Sequence, residues 1–221
     1  MKDKARTALI AGASGLVGGY CLQLLLQDEQ YKKVVSIGRR NIDVQHPKLE
    51  QRIVDFQDLQ SYSQFLQADD VYCCLGTTIK KAGSRDQFFE VDYKYVLRLA
   101  HVSAANGARR FMVVSAMGAD SKSMFYYNRV KGEMEEALRQ VPFRSIHIFR
   151  PSLLLGPRQE NRPGEKAATI LMKGLDFLMV GPLKQYKAIH AQTVAEAMVR
   201  AAHHNQKGVH VHLSHEIAEE K

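Results

Sequence analysis

Apolar positions fall into two alternating rhythms over the first 150 residues. Residues 7–11, 34–37, 70–75, 111–114 and 143–149 are short runs rich in β-branched and aromatic side chains, and Gln51-Arg52-Ile53-Val54 opens one more. Between them lie segments with helical spacing. In 16–26, Val17, Cys21, Leu24 and Leu25 share one face, and in 86–105 Phe88, Val91, Tyr95, Leu99 and Val102 recur at intervals of three and four. Asn106-Gly107 ends the second helix as a C-terminal stop. A third helix, rich in Glu and Lys, is predicted over 124–139.

Strands alternating with helices predict βαβ units and a parallel sheet buried on both faces. The fold class expected is α/β, a Rossmann-type doubly wound sheet. Residues 151–221 break the rhythm: they hold four of the six prolines, then a helix near 191–204 and a strand at 209–213. The chain is therefore read as a single domain, 1–221. Its cofactor-binding core is 1–150, and 151–221 is a small substrate-side appendage folded onto it.

The glycines give this frame its chemistry. Gly12-Ala13-Ser14-Gly15-Leu16-Val17-Gly18 follows the first strand and opens the first helix. Gly12 permits the tight turn, Gly15 lets a pyrophosphate approach the backbone, and Gly18 lets helix and strand pack closely. The first N–H groups of the helix, around Ser14, Leu16 and Val17, face the phosphates. The next strand runs into Gly38-Arg39-Arg40, with no acid until Asp43. An NAD site puts Asp or Glu there for the ribose 2′-OH, whereas Arg39 and Arg40 suit a 2′-phosphate, so NADP(H) is the expected cofactor. Asp55-Phe56 follows the third strand, where an adenine edge would lie. Leu75-Gly76-Thr77 follows the fourth, where small residues let the backbone approach the cofactor's middle.

Tyr127 and Lys131 stand four residues apart, on one helical face. An ammonium beside a phenol favours the phenolate, and such a phenol can exchange a proton with a carbonyl or alcohol oxygen. Ser115, at the end of the fifth strand, is placed to hold the same oxygen. In a chain with nine tyrosines a lone YxxxK says little; its order after a glycine turn, a basic strand end and a strand-end Ser is what gives it weight.

These segments, with Ile37-Gly38-Arg39-Arg40, Cys73-Cys74-Leu75-Gly76-Thr77-Thr78, Lys131-Gly132-Glu133, Phe149-Arg150-Pro151 and the run from Arg158 to Glu165, resemble the extended-like atypical group of short-chain dehydrogenases/reductases. The resemblance covers nearly the whole chain. It implies an NADPH-dependent oxidoreductase with Tyr127 as catalytic tyrosine and Lys131 as its partner on the nicotinamide ribose. Leu154 would lie against the nicotinamide end, and Arg162 would reach back to the cofactor. The same group has regulatory members, so an NADPH-binding sensor with little turnover and a protein partner is the alternative. Many short-chain dehydrogenases carry an Asn in the helix before the fifth strand. Asp92 stands there in this chain, and a proton relay through that position is not carried over.

Composition narrows the partners. The net charge is +8, but the basic residues come in scattered pairs, which argues against a nucleic-acid interface. No apolar stretch is long enough to span a bilayer. With no secretory signal pattern and three cysteines without a spacing pattern, the expected location is the cytoplasm. His210 and His212 are read as solvent-facing, with no metal site, and Asp69-Asp70 as a turn. The substrate is a small molecule of unidentified structure, and both monomer and homodimer are compatible with the sequence.

Overall fold

The computed structural model describes residues 6–157, 186–204 and 206–219. Its centre is a seven-stranded sheet. In chain order the first part runs β1 (Arg6–Ala11), α1 (Leu16–Gln27), β2 (Tyr31–Gly38), β3 (Leu49–Ile53), a 3-10 segment (Leu59–Phe65) and β4 (Asp70–Cys73). There follow α2 (Ile79–Ala82), α3 (Arg85–Phe89), a π turn (Glu90–Lys94), α4 (Tyr95–Ala105), β5 (Arg110–Val114), α5 (Tyr126–Leu138) and β6 (Ser145–Arg150). The last part holds β7 (Leu154–Leu155), β8 (Ile189–His190), α6 (Ala191–His203), β9 (Gly208–Leu213) and α7 (Ser214–Glu219). The sheet order is β3-β2-β1-β4-β5-β6-β9, and every pairing in it is parallel.

Period-two alternation builds both layers. Ala8 and Ile10 of β1 face a core shared with Val17, Cys21 and Leu25 of α1 and Val194 and Met198 of α6. Leu9 and Ala11 face the opposite core, with Leu99 of α4 and Met134 and Leu138 of α5. The central strands β1, β4, β5 and β6 are thus buried on both sides, as a doubly wound sheet requires, while the edge strands β3 and β9 are partly exposed.

Three predicted elements differ in detail. The helix expected over 86–105 is interrupted by the π turn, where backbone pairing widens by one residue. The helix expected from residue 124 begins at Tyr126, because Phe125 is extended and both it and Met124 point to solvent. The 209–213 strand pairs with β6 as the seventh strand of the main sheet. A parallel edge strand reached by a long crossover carries no local sign of its partner.

At the amino end of the sheet, Asp70 accepts from Arg6 at 2.8 Å, Arg110 at 2.7 Å and the Tyr31 hydroxyl at 2.7 Å, while Asp69 accepts the Thr7 N–H. These carboxylates tie strands together at the end remote from the glycine turn. His210 and His212 are not solvent-facing: both are half-buried and stack on buried His147, at ring separations of 4.9 and 5.3 Å. Among the described residues no group of three or more His, Cys, Asp or Glu side chains is arranged so that it could hold a metal ion.

Candidate functional site

Strand order reverses direction between β1 and β4, and the crevice at the carboxyl ends of these strands is where open α/β sheets take ligands. Two loops line it. On one side lies the glycine turn. Gly12 has φ +88°, and a Cβ there would lie 2.5 Å from the Cys74 carbonyl oxygen; at Gly18 it would lie 2.1 Å from the Gly12 carbonyl. Side chains at either position would push β1, α1 and β4 apart. Gly15 is the N-cap, no side chain caps the helix, and its first turn holds no acid. The opening N–H groups of α1 are thus unclaimed by side chains of the described residues, beside exposed Ser14 and Gly15 and half-buried Leu16. That cradle of backbone donors fits a pyrophosphate.

Arg39 and Arg40 follow β2, exposed and without an ion-pair partner among the described residues. Asp55 is exposed and takes the Gln57 N–H in a local turn. Phe56 is buried and stacks on Tyr95 at 5.4 Å, so it supports the floor here. On the other side of the crevice, Leu75 and Thr77 are half-buried and Gly76 is exposed. Leu154 packs on the core in a two-stranded ribbon with β8. Next to it, a Cβ at Gly156 would lie 2.9 Å from Leu16 Cδ1, which places this ribbon against the glycine turn. Arg162 and the run from Arg158 to Glu165 lie outside the described residues.

Helix α5 carries a stripe of chemistry at every fourth residue: Tyr127, Lys131, Glu135. The helix is held close by Gly132, where a Cβ would lie 2.1 Å from the Ser121 nitrogen. Tyr127 is half-buried and rests on Phe88, ring centroids 5.3 Å apart. Lys131 is buried, and its Nζ lies 2.8 Å from Asp92 Oδ1 in the π turn. The other oxygen, Asp92 Oδ2, accepts the Thr77 N–H at 2.9 Å. Burial works against the Lys131 ammonium. The Asp92 charge and hydrogen bond, with the Tyr127 oxygen nearby, outweigh it and hold the group above the ordinary lysine range. Glu135 grips Arg150 with both oxygens, the closest contact 2.6 Å. It also accepts the Ser115 hydroxyl at 2.5 Å.

The structure therefore gathers the glycine turn, residues 75–77, Lys131 and Tyr127 around one crevice. It turns the Ser115 hydroxyl proton to Glu135. The sequence places Asp92 on the helix before β5 but carries no local sign of Lys131 as its partner. Glu135 and Arg150 carried a findable signal, since Glu135 continues the four-residue spacing of Tyr127 and Lys131.

Residues 8–214 match the model of the NAD dependent epimerase/dehydratase family. The chain belongs to this family. Within the family it is similar to Protein HTATIP2 of Rattus norvegicus, at 41% identity over 74% of this chain and 69% of that one. It is also similar to Protein FMP52, mitochondrial, of Candida glabrata, at 35% identity over 72% of this chain and 68% of that one. Two solved structures of like fold are MoeE5 in complex with UDP-glucose and NAD, and the UDP-glucuronic acid 4-epimerase from Bacillus cereus in complex with NAD. The first has TM-score 0.71 and 18% identity, covering 93% of this chain and 75% of that one. The second has TM-score 0.67 and 16% identity, covering 93% and 76%. This family member is thus an atypical short-chain dehydrogenase/reductase with the doubly wound fold expected of it, and NAD(P) binding of the oxidoreductase type comes with the family.

The cytoplasmic location expected from the sequence is corrected by these relatives, since the fungal proteins at about this identity are named mitochondrial. Free thiols and a lack of secretory pattern argue only against an oxidising, secreted setting, which leaves organelles open. No helix of the described residues is long and apolar enough to cross a membrane.

Proposed function

We propose that this protein binds NADP(H) in the switch-point crevice and transfers hydride between the nicotinamide and a small carbonyl or alcohol substrate. The observation that carries the reading is the convergence of three things at one crevice. They are an uncapped glycine turn, a lysine whose Nζ comes within 4.0 Å of a Cβ built on Gly76, and a tyrosine one helical turn from that lysine.

The opening N–H groups of α1, with Gly12, Ser14, Gly15, Leu16, Val17 and Gly18, would hold the pyrophosphate. Arg39 and Arg40 would take the 2′-phosphate, ideally as bidentate pairs. Asp55 and Phe56 would border the adenine, Leu75, Gly76 and Thr77 the middle of the cofactor, and Leu154 its nicotinamide end. Bound there, the dinucleotide would supply or accept the hydride. Tyr127 passes the proton to or from the substrate oxygen. Lys131 supplies positive charge beneath it and N–H donors for the ribose. The solved neighbours named above are complexes with NAD; the exposed arginine pair and the lack of an acid before Asp43 favour the phosphorylated dinucleotide in this chain.

One observation favours a second reading, an NADPH-dependent sensor that turns over little. Ser115 gives its hydroxyl proton to Glu135, which leaves Tyr127 as the one proposed donor to a substrate oxygen.

Titration with NADPH and NADH, followed by nicotinamide fluorescence, tests the cofactor; the chain contains no Trp to interfere. Tight NADPH and weak NADH binding is expected, and failure to bind either overturns both readings. A screen of carbonyl compounds with Tyr127→Phe as control then separates them. An enzyme loses turnover in the variant and keeps its cofactor affinity. A sensor shows no turnover in either form.

A further inference from the structure

Met124 and Phe125 stand next to each other at the end of the loop from β5 to α5, 94% and 76% exposed. Single exposed apolar side chains are ordinary, but two large ones in succession, both mostly in water, are not explained by packing. The loop that carries them is well tied. Asp120 accepts the Lys122 N–H at 2.9 Å, the Ser123 hydroxyl oxygen accepts the Phe125 N–H at 3.2 Å, and Arg129 donates to the Ser123 carbonyl at 3.0 Å. Phe125 is extended at the head of α5, and its carbonyl takes the Arg129 N–H at 2.9 Å. Polar contacts thus fix the backbone, while the two apolar side chains project from it.

Cations surround the pair. Lys122 is exposed two residues before Met124. Tyr126, the residue after Phe125, has two guanidiniums against its ring, Arg85 at 5.1 Å and Arg129 at 5.6 Å from the centroid, and its hydroxyl donates to the Arg85 carbonyl. Exposed Lys80 lies in the last turn of α2, which packs on the α3 helix that Arg85 opens. Of the acids nearby, Asp86 follows Arg85 on α3, Asp120 is turned to the Lys122 N–H, Glu133 lies 4.0 Å from Arg129 and Glu136 takes the Ser121 hydroxyl. Lys122 and Arg85 have no ion-pair partner among the described residues.

We propose that the Met124–Phe125 tip docks this protein on an anionic lipid surface, with the two side chains entering the interface and Lys122, Arg85, Arg129 and Lys80 facing the headgroups. Docking of this kind needs neither cofactor nor turnover.

Area and charge decide among occupants. A standard protein–protein interface buries roughly 800 Å² on each partner, and two side chains at a loop end offer a fraction of that. A bilayer asks for no complementary pocket. It takes in a protruding apolar group, and its negative surface potential attracts the basic residues around that group. The net charge of +8 acts in the same direction. Apolar insertion alone or basic charge alone gives weak, reversible binding, and the two together give the hold of a peripheral protein. Tyr127 follows two residues after Phe125, so docking brings the head of α5 to the lipid surface.

The test uses the whole chain and vesicles of phosphatidylcholine, with and without phosphatidylglycerol. The chain has no Trp, so Phe125→Trp supplies a single emitter at the tip. Its emission is expected to shift to the blue on the anionic vesicles and to stay unshifted on pure phosphatidylcholine. Ile53→Trp, exposed on the β3 edge of the sheet, should shift on neither. In sedimentation with the anionic vesicles, Met124→Ser combined with Phe125→Ser should weaken binding about tenfold or more, because two apolar side chains stay in water. Lys122→Gln combined with Arg85→Gln should weaken it about tenfold through lost attraction to the headgroups. Wild type that does not sediment with anionic vesicles overturns the proposal, as does Phe125→Trp emission that does not shift on them. Equal binding to both kinds of vesicle overturns it as well. Binding that survives undiminished in the serine variant would trace it to charge elsewhere on the chain and is equally fatal. If the serine variant does not fold by circular dichroism, the Phe125→Trp emission decides. A concentration-dependent dimer that the serine variant abolishes, without vesicle binding, would assign the tip to a second copy of this chain instead.

Discussion

Ser115 gives its hydroxyl proton to Glu135 across 2.5 Å, in a pocket where Glu135 is also clamped by Arg150. The serine joins the end of β5 to the third rung of the α5 stripe, one turn beyond Lys131. Removing the hydroxyl leaves a buried carboxylate short of one donor, so Ser115→Ala should cost about 1–3 kcal/mol, read by urea unfolding. NADPH affinity should not change. If carbonyl turnover is found, its rate in Ser115→Ala should stay within the same order of magnitude. A fall of about 100-fold or more would show instead that Ser115 donates to the reacting oxygen.

Neighbouring glycines at the head of α1 should respond in opposite directions. Gly12 has positive φ and no room, with the Cys74 carbonyl 2.5 Å from a built Cβ. Gly12→Ala should destabilise by about 2 kcal/mol or more, from backbone strain and from displacement of β4. Gly19 is helical, and its built Cβ meets nothing nearer than the Ala13 carbonyl oxygen at 3.6 Å. Gly19→Ala should be neutral or stabilise by about 0.5–1 kcal/mol, since alanine loses less entropy in a helix. Thermal melts of the two variants check this; equal losses would mean that the turn is not held as described.

Arg39 and Arg40 carry the proposed preference for NADP(H) over NAD(H). Charge-assisted contacts to a phosphate are worth roughly 1.5–3 kcal/mol each. Replacing both arginines with alanine should therefore weaken NADPH binding at least about 30-fold. NADH, which has no 2′-phosphate, should bind the variant and wild type alike. If both dinucleotides weaken equally, the arginines act as general positive charge. The contrast should shrink as salt rises, because both side chains are exposed.

Much of this fold was legible because its signals are local. The alternation of 7–11, the helical spacing of 16–26 and the glycines between them are written in consecutive residues, and together they mark β1, the turn and α1. The 86–105 periodicity marked a helix but hid the π turn, since one widened turn shifts the spacing by a single residue. What could not be read were the partners. Tyr127 and Lys131 were visible as a pair on one helix. That Lys131 reaches Asp92, or that Ser115 reaches Glu135, depends on how α5 lies against the π turn and β5, and no window of sequence contains both ends. The 209–213 strand was legible as a strand, but its place in the sheet was not, for the same reason: its partner β6 lies across a long crossover. The stacking of its histidines on β6 was hidden with it.

That stacking has a consequence for stability at acid pH. His147 is buried in β6, with Nδ1 3.0 Å from His212 Nε2 and its ring stacked on His210 and His212. Burial, and then the neighbouring His212, His210, Arg110 and His204, push its imidazole down to about 3. In the unfolded chain the same imidazole takes up its proton near the ordinary 6.5. As pH falls from 6.5 toward 3, the unfolded state binds the proton first and is favoured. The contribution is intact above about pH 6.5 and is lost progressively below it, to the order of 5 kcal/mol across the whole window. His147→Leu keeps the buried position apolar and removes the proton site. Urea unfolding at pH 7 and pH 4.5 should show wild type losing about 2 kcal/mol more than the variant over that interval. Equal losses would mean that His147 keeps a near-ordinary affinity for the proton in the folded protein, and that the acid sensitivity arises at other groups.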